Sequence, residues 1–276
     1  RLIYIPDLRD VRDGLVRSQN LPQEGFVSYF AIPLIAKDQL KGVMEVYHRS
    51  EVVPDPEWMD YFEALSGQAA IAIDNATMFQ DLQAANQELI QAYDATIEGW
   101  SRALELRDQE TEGHTRRVTE MTVRLARELG MDGDELVQIR RGALLHDIGK
   151  MGIPDGILVK PGPLNREEAE IMRMHPVYAF QLLNSVPFLR PALDIPYSHH
   201  ERWDGSGYPM QLSKEEIPMA ARLFAVVDVY DALCSNRPYR PSWTKEMTLA
   251  YIRKESGKSF DPHVVEVFLR LIEKQE

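Results

Sequence analysis

Hydrophobic and polar positions change their period along this 276-residue chain. Residues 1 to about 55 carry short β-type runs. "YFAIPLIA" and "LKGVMEVYHR" are rich in Val, Ile, Tyr and Phe, and "KDQLKG" between them reads as a turn. Two strands and a loop are too little to bury both faces of a sheet. The section is expected to pair with something outside the chain or to be a domain cut at its N-terminus. A start at Arg1 rather than Met agrees with a missing beginning.

From Pro56 to about Leu106 the period becomes helical. No proline follows Pro56 in this stretch, and Gly67 and Gly99 are its only glycines. Apolar residues recur at heptad positions: Phe62, Leu65, Ala69, Ala72, Ala76 and Phe79, then Ile90, Tyr93, Ile97, Trp100 and Leu104. Gln83 and Asn86 occupy the same seam midway. A continuous helix here would be roughly 70 Å long, too long to bury its seam within a small domain. The spacing predicts a parallel dimeric coiled coil that joins two domains, with the polar pair fixing register. The competing reading is an ordinary helix folded back at Gly99.

From about Glu105 the chain is helical, with Pro- and Gly-rich loops. "TRRVTEMTVRLARELG" is amphipathic and closes at Gly130. "DGDELVQIRRGALLHDIGK" opens with acidic cap residues and turns apolar towards His146. "NREEAEIMRMHPVYAFQLLNSV" has an Asn cap and a helical period. "ARLFAVVDVYDALCS" is nearly all apolar, so its two aspartates need a reason to be there. No internal repeat and no low-complexity segment occurs.

Composition narrows the function. A net charge of -12 disfavours broad binding to nucleic acid or to an anionic membrane, while leaving room for a local cationic pocket for a phosphate ester. The single cysteine, Cys234, rules out an internal disulfide framework. With no apolar run near 18 residues and no signal peptide, the expected location is the cytoplasm.

The histidines carry the chemistry. Five of the 7 lie between positions 114 and 200. His114 follows Glu110 by four residues and would share its helical face. His146 and Asp147 end the apolar run "ALLHDIG", where a charged Asp is costly unless it is paired or binds a metal. His175 precedes Pro176 at a helix interruption. His199 and His200 are adjacent and point to different partners. Asp228 and Asp231 lie on one face of an apolar helix. A lone buried histidine is more often a hydrogen-bonded core residue than a ligand. Five of them among buried acids would cost several kcal/mol for each unpaired ion, and a shared multinuclear metal site removes that cost. Imidazole mixed with carboxylate, without thiolate, suits Fe, Mn, Zn, Co or Ni. So many candidate ligands call for two or three divalent ions.

"HDIGKMGIPD", "HHERWDGSGYP" and "VVDVYDALCSNRPYR" resemble, in order, the motifs of the HD-GYP family of cyclic-dinucleotide phosphodiesterases, and "GHTRRV" and "GKSFDP" also fit. "EGFVSYFAIPLIAKDQLKGVMEVYHR" and "LSGQAAIAIDNATMF" resemble the C-terminal half of a GAF sensory domain. The resemblance implies a multidomain chain. Residues 1–76 would be part of an α+β GAF domain, 77–92 a helical linker, and 93–276 an all-α HD-type catalytic domain.

The resemblance also implies roles. His114, His146, Asp147, His175, His199, His200 and Asp228 would ligate metal, with Asp147 bridging two ions. Family members with a Glu at the place of Glu110 can hold a third. Iron is the metal that the resemblance implies first, and manganese next. Asp147 and Lys150 would serve catalysis, and Lys150, Arg237 and Arg240 would contact phosphate. Asp231 would orient a ligand or Arg237 from behind the centre. Tyr208, on the "DGSGYP" turn, shapes the substrate pocket, belongs to a partner surface or packs as a plain turn residue. The implied substrate is cyclic di-GMP, cut to pGpG and on to GMP, with the GAF part regulating the reaction through the helix of a homodimer. Three rivals stand beside this: an HD-type phosphohydrolase of a nucleotide or of another cyclic dinucleotide such as cyclic GMP-AMP, a silent module that binds the nucleotide or docks a diguanylate cyclase, and a purely structural dimer with incidental metal.

Overall fold

A computed structural model describes residues 1–10, 21, 23–108, 113–236 and 241–274. Two compact units emerge, Arg1–Ile90 and Gln91–Glu276.

In the first unit, β1 (Ile3–Ile5), β2 (Ser28–Ala36) and β3 (Gln39–His48) form an antiparallel sheet in that order. The hairpin turns at Lys37 and Asp38, whose φ angles of 50° and 61° are the left-handed pair that a two-residue hairpin needs. The expected turn "KDQLKG" is thus shorter, and β3 starts inside it. β1 was not expected, because three residues are too few to display a period. One face of the sheet is aromatic. Tyr4 stacks on Phe30 at 4.7 Å, Trp58 lies 4.5 Å from Phe30, and Phe62 lies 5.0 Å from Trp58. Lys37 and Lys41 grip Asp74 at 3.1 and 2.7 Å, so the hairpin tip is tied to the helix that covers it.

That helix is α1 (Pro56–Asp108), 53 residues long, starting where the helical period starts. The heptad seam splits. Phe62, Ile97 and Leu104 are buried in their own units, whereas Leu65, Ala72, Phe79, Tyr93 and Trp100 are exposed. Part of the seam is therefore used within the chain, and Leu65, Ala72, Phe79, Tyr93 and Trp100 form a row left exposed.

The second unit is helical. α2 (His114–Glu128) ends in a Schellman turn, with Gly130 N–H donating to the Arg127 carbonyl and Met131 N–H to that of Ala126. α3 (Gly133–Leu144) packs on α2, and the short α4 (Asp155–Leu158) follows. The helical stretch "NREEAEIMRMHPVYAFQLLNSV" is divided at the interruption expected by Pro176 into α5 (Arg166–Met172) and α6 (His175–Asn184). Asn165 opens α5 with a capping box, and Pro176, which has no N–H to donate, sits in the first turn of α6. α7 (Asp194–Ser198), α8 (Met219–Cys234), α9 (Lys245–Glu255) and α10 (Pro262–Glu273) complete the unit. The core gathers Val118 and Leu125 of α2, Leu223, Phe224 and Val226 of α8, and Phe268 of α10. α8 is thus central, which accounts for its apolar composition.

Candidate metal centre

The candidate ligands sit where helices begin, end or cross. His114 opens α2. His146 and Asp147 follow α3 and lead into a 3-10 turn, Ile148–Gly152. His175 opens α6, His199 and His200 leave α7, and Asp228 lies within α8. The turn after Asp147 comes very close to α6: a Cβ on Gly149 would lie 1.8 Å from the His175 carbonyl oxygen, so only glycine fits.

Three of the imidazoles are set by their own backbone. The Nδ1–H groups of His146, His175 and His199 donate to the carbonyls of Ala143 (2.9 Å), Met172 (2.9 Å) and Ile195 (3.0 Å). A carbonyl only accepts, so each Nδ1 carries a proton and Nε2 is the nitrogen left to serve a ligand. His114 differs, since its Nδ1–H donates to the Asp231 carboxylate at 2.7 Å. Arg117 in turn donates to both oxygens of Asp231, at 2.7 and 2.9 Å.

Imidazole nitrogens and a carboxylate converge in two sets of three, His114, His146 and Asp228, and His175, His199 and His200. Within each set one ligand atom per residue lies within 4.8 Å of the others. Asp147 stands between them. Its Oδ2 is 3.0 Å from His146 Nε2, and its Oδ1 is 3.4 Å from His175 Nε2 and 3.9 Å from His199 Nε2. Lys150 Nζ closes the edge, 2.7 Å from Asp147 Oδ2 and 3.1 Å from Asp108 Oδ2. Glu110, Arg237 and Arg240 lie outside the described residues.

Burial sets the protonation states. It lowers His199 well below the ordinary imidazole value, lowers His175, and brings His200 down to about 4. Burial alone would raise Asp147, but His146 and Lys150 outweigh it and hold the carboxyl well below its usual range. Burial is likewise outweighed at Asp228, chiefly by His114. Neutral imidazoles beside ionised carboxylates are the form that binds metal. The donor set fits Fe, Mn, Zn, Co or Ni, because it is all nitrogen and oxygen and supplies two ion-sized clusters.

The "DGSGYP" turn folds back on its own histidines. Tyr208 stacks on His200 at 4.7 Å and 26°, with the Arg173 guanidinium 5.4 Å from the Tyr208 ring centre. Burial raises the Tyr208 hydroxyl to about 12, so it stays neutral. The Glu201 carboxylate accepts from Met210 N–H (2.6 Å) and Leu212 N–H (3.1 Å). Trp203 and Asp204 N–H donate to Ser259 and Lys258, which joins the turn to "GKSFDP". Glu201, Arg117 and Arg173 escaped the sequence reading. Only Glu201 had a signal there, as an acid beside two histidines and a turn.

Residues 99–264 match the HD domain model, and residues 1–74 match the GAF domain model. The chain belongs to the HD domain family. A cyclic di-GMP phosphodiesterase of Thermotoga maritima is 47% identical over 169 residues, covering 60% of this chain and 46% of the relative. A cyclic di-GMP phosphodiesterase response regulator of Xanthomonas campestris pv. campestris is 40% identical over 193 residues, covering 69% and 51%. This HD chain therefore spans about half the length of the curated relatives it matches. A crystal structure of a cyclic GMP-AMP specific phosphodiesterase of V. cholerae shares the fold, with a TM-score of 0.51 at 21% identity over 64% of this chain and 48% of that one. The described residues contain no helix long and apolar enough to cross a membrane.

Proposed function

We propose that this chain is a metal-dependent phosphodiesterase that hydrolyses cyclic di-GMP to pGpG and on to GMP. The observation that carries the reading is the pair of histidine-rich clusters flanking Asp147, with Lys150 at their edge. The names of the cyclic di-GMP relatives support the substrate. His114, His146 and Asp228 would hold one divalent ion, and His175, His199 and His200 another, with Asp147 shared. Glu110 would extend the set to a third. Iron is the first expectation and manganese the second. When bound, such ions neutralise phosphoryl charge and acidify water.

The side chains divide the remaining work. His146, His175 and His199 would present Nε2 to metal, because backbone carbonyls hold their Nδ1 protons. Asp231 fixes His114 in the same sense. Lys150, Arg237 and Arg240 would neutralise phosphate. Tyr208 would border the substrate pocket through its stack on His200.

The organisation proposed is a GAF part over 1–76, a helical linker over 77–92 and the catalytic domain over 93–276. The GAF part would regulate a homodimer through α1, whose exposed Leu65, Ala72, Phe79, Tyr93 and Trp100 recur along one heptad row. The proposed location is the cytoplasm, with a diguanylate cyclase as a candidate partner. A silent binding module fits less well, because the donor set is complete among the described ligands. Anaerobic purification, elemental analysis and a product assay on cyclic di-GMP and cyclic GMP-AMP side by side test the reading. Two or three ions per chain and GMP as product are expected. Metal-loaded protein that leaves both dinucleotides intact, or turns over only cyclic GMP-AMP, would overturn the cyclic di-GMP assignment. A permanent stop at pGpG would overturn the second step alone.

A further inference from the structure

Two consecutive residues at the end of α1 hold one lysine of the site from opposite ends. Arg107 reaches the turn after Asp147. Its guanidinium donates to the carbonyl oxygens of Lys150 (3.3 Å), Met151 (2.9 Å) and Ile153 (2.9 Å) and to the Asp155 carboxylate (2.7 Å). Three carbonyls on one guanidinium fix the path of that turn, since the planar fork cannot follow the backbone if it moves. Asp108 takes the other end, with Oδ2 3.1 Å from Lys150 Nζ. The Asp108 side chain is only 4% exposed, and Lys150 lies between it and Asp147.

We infer that Arg107 and Asp108 are positioning residues for Lys150: Arg107 sets its backbone and Asp108 anchors its ammonium beside the metal centre. The inference rests on the role proposed for Lys150. Its physical core is a competition of charges. Lys150 is held by two carboxylates, but Asp147 is the one proposed to serve metal ions. Once its charge is committed to cations, Asp147 attracts the ammonium less, and the cations repel it. Asp108 then supplies the attraction that keeps the lysine at the edge of the site, charged and aimed at the phosphate position. Because Arg107 and Asp108 close α1, an axial shift or rotation of its last turn would move both ends of Lys150 together.

The test uses the full chain loaded with Mn²⁺ and the variants Asp108→Asn, Asp108→Glu, Arg107→Lys and Lys150→Met. Asp108→Asn should lower kcat by about 10- to 100-fold, the usual loss when an orienting partner is removed, with KM little changed. Asp108→Glu should recover part of the loss. In a Lys150→Met background Asp108→Asn should cost less than about 3-fold, because positioning residues lose their effect with the group they position. Arg107→Lys should behave like Asp108→Asn from the backbone end, and it guards against a folding defect in the latter.

A second readout is the rate at which an amine-acylating reagent modifies Lys150, followed by peptide mass spectrometry. That rate should rise in Asp108→Asn and Arg107→Lys. An unchanged acylation rate, or an equal cost of Asp108→Asn with and without Lys150, would overturn the inference. Full activity in Lys150→Met alone would instead overturn the role given to Lys150, and acylation would still decide whether Asp108 holds it.

Discussion

Gly149 is where the Asp147 turn meets α6, and Gly149→Ala perturbs that contact directly. The added methyl carbon would lie 1.8 Å from the His175 carbonyl oxygen and 2.6 Å from the Ala179 nitrogen. Carbon and carbonyl oxygen settle no closer than about 3.3 Å, so the shortfall is about 1.5 Å. Both obstacles are backbone atoms, and no rotamer change relieves them. The turn and the start of α6 must separate by most of that distance. Overpacking a core costs about 1–3 kcal/mol, and a backbone clash belongs at or above the upper end. The second effect falls on function. His175 would move by on the order of 1 Å, whereas metal–ligand distances tolerate about 0.2 Å.

Denaturant unfolding of chelated protein and metal content by mass spectrometry read the two effects separately. Gly149→Ala should lose about 3 kcal/mol of stability and bind fewer ions than wild type. Gly152→Ala is the internal control. Its methyl would meet the Tyr178 ring at 2.8 Å, a side chain that can turn away, so a smaller loss is expected. A Gly149→Ala protein within about 0.5 kcal/mol of wild type and with full metal content would refute the reasoning.

Other outcomes follow from the same geometry. In metal-free protein, burial lowers His200 to about 4. The unfolded chain therefore binds the extra proton between about pH 6.5 and 4. Stability should fall across that window as pH drops, by at most roughly 3–4 kcal/mol from this group, and bound metal should carry the fall on to lower pH, as urea titrations at stepped pH would report. Asp231→Asn weakens the grip on His114 and should reduce metal affinity by about 10- to 100-fold, measured by competition with a chromogenic chelator. Glu201→Gln turns an amide group towards Met210 N–H or Leu212 N–H and should cost about 1–3 kcal/mol, with faster proteolysis near Tyr208. Unchanged proteolysis would mean that Glu201 does not hold that turn.

Much of the site could be read from the chain because its chemistry is improbable in an apolar setting. Histidine and aspartate inside "ALLHDIG" and "LFAVVDVYDAL" demand an explanation before any geometry is known. The long helix was equally legible, since a heptad period over fifty residues has few other causes. What escaped depends on the third dimension. Arg107 looks like a surface residue at a helix end, and nothing local announces that it spans three carbonyls. Arg117 binds Asp231 across 114 residues of sequence. The heptad row could not reveal that Phe62, Ile97 and Leu104 are used within their own units. That division depends on which neighbours the tertiary fold supplies.

The carbonyls of Ala143, Met172 and Ile195 each lie three or four residues upstream of the histidine they hold. Each imidazole thus has its Nδ1 proton held by its own stretch of chain rather than by another helix. The proton inventory of these three ligands is complete in the folded polypeptide itself. An ion can then leave and another take its place without a ring turning over or a proton changing nitrogen. Such a centre accepts replacement as simple exchange, so the ion it carries should follow what the surrounding solution supplies and what geometry its donors prefer.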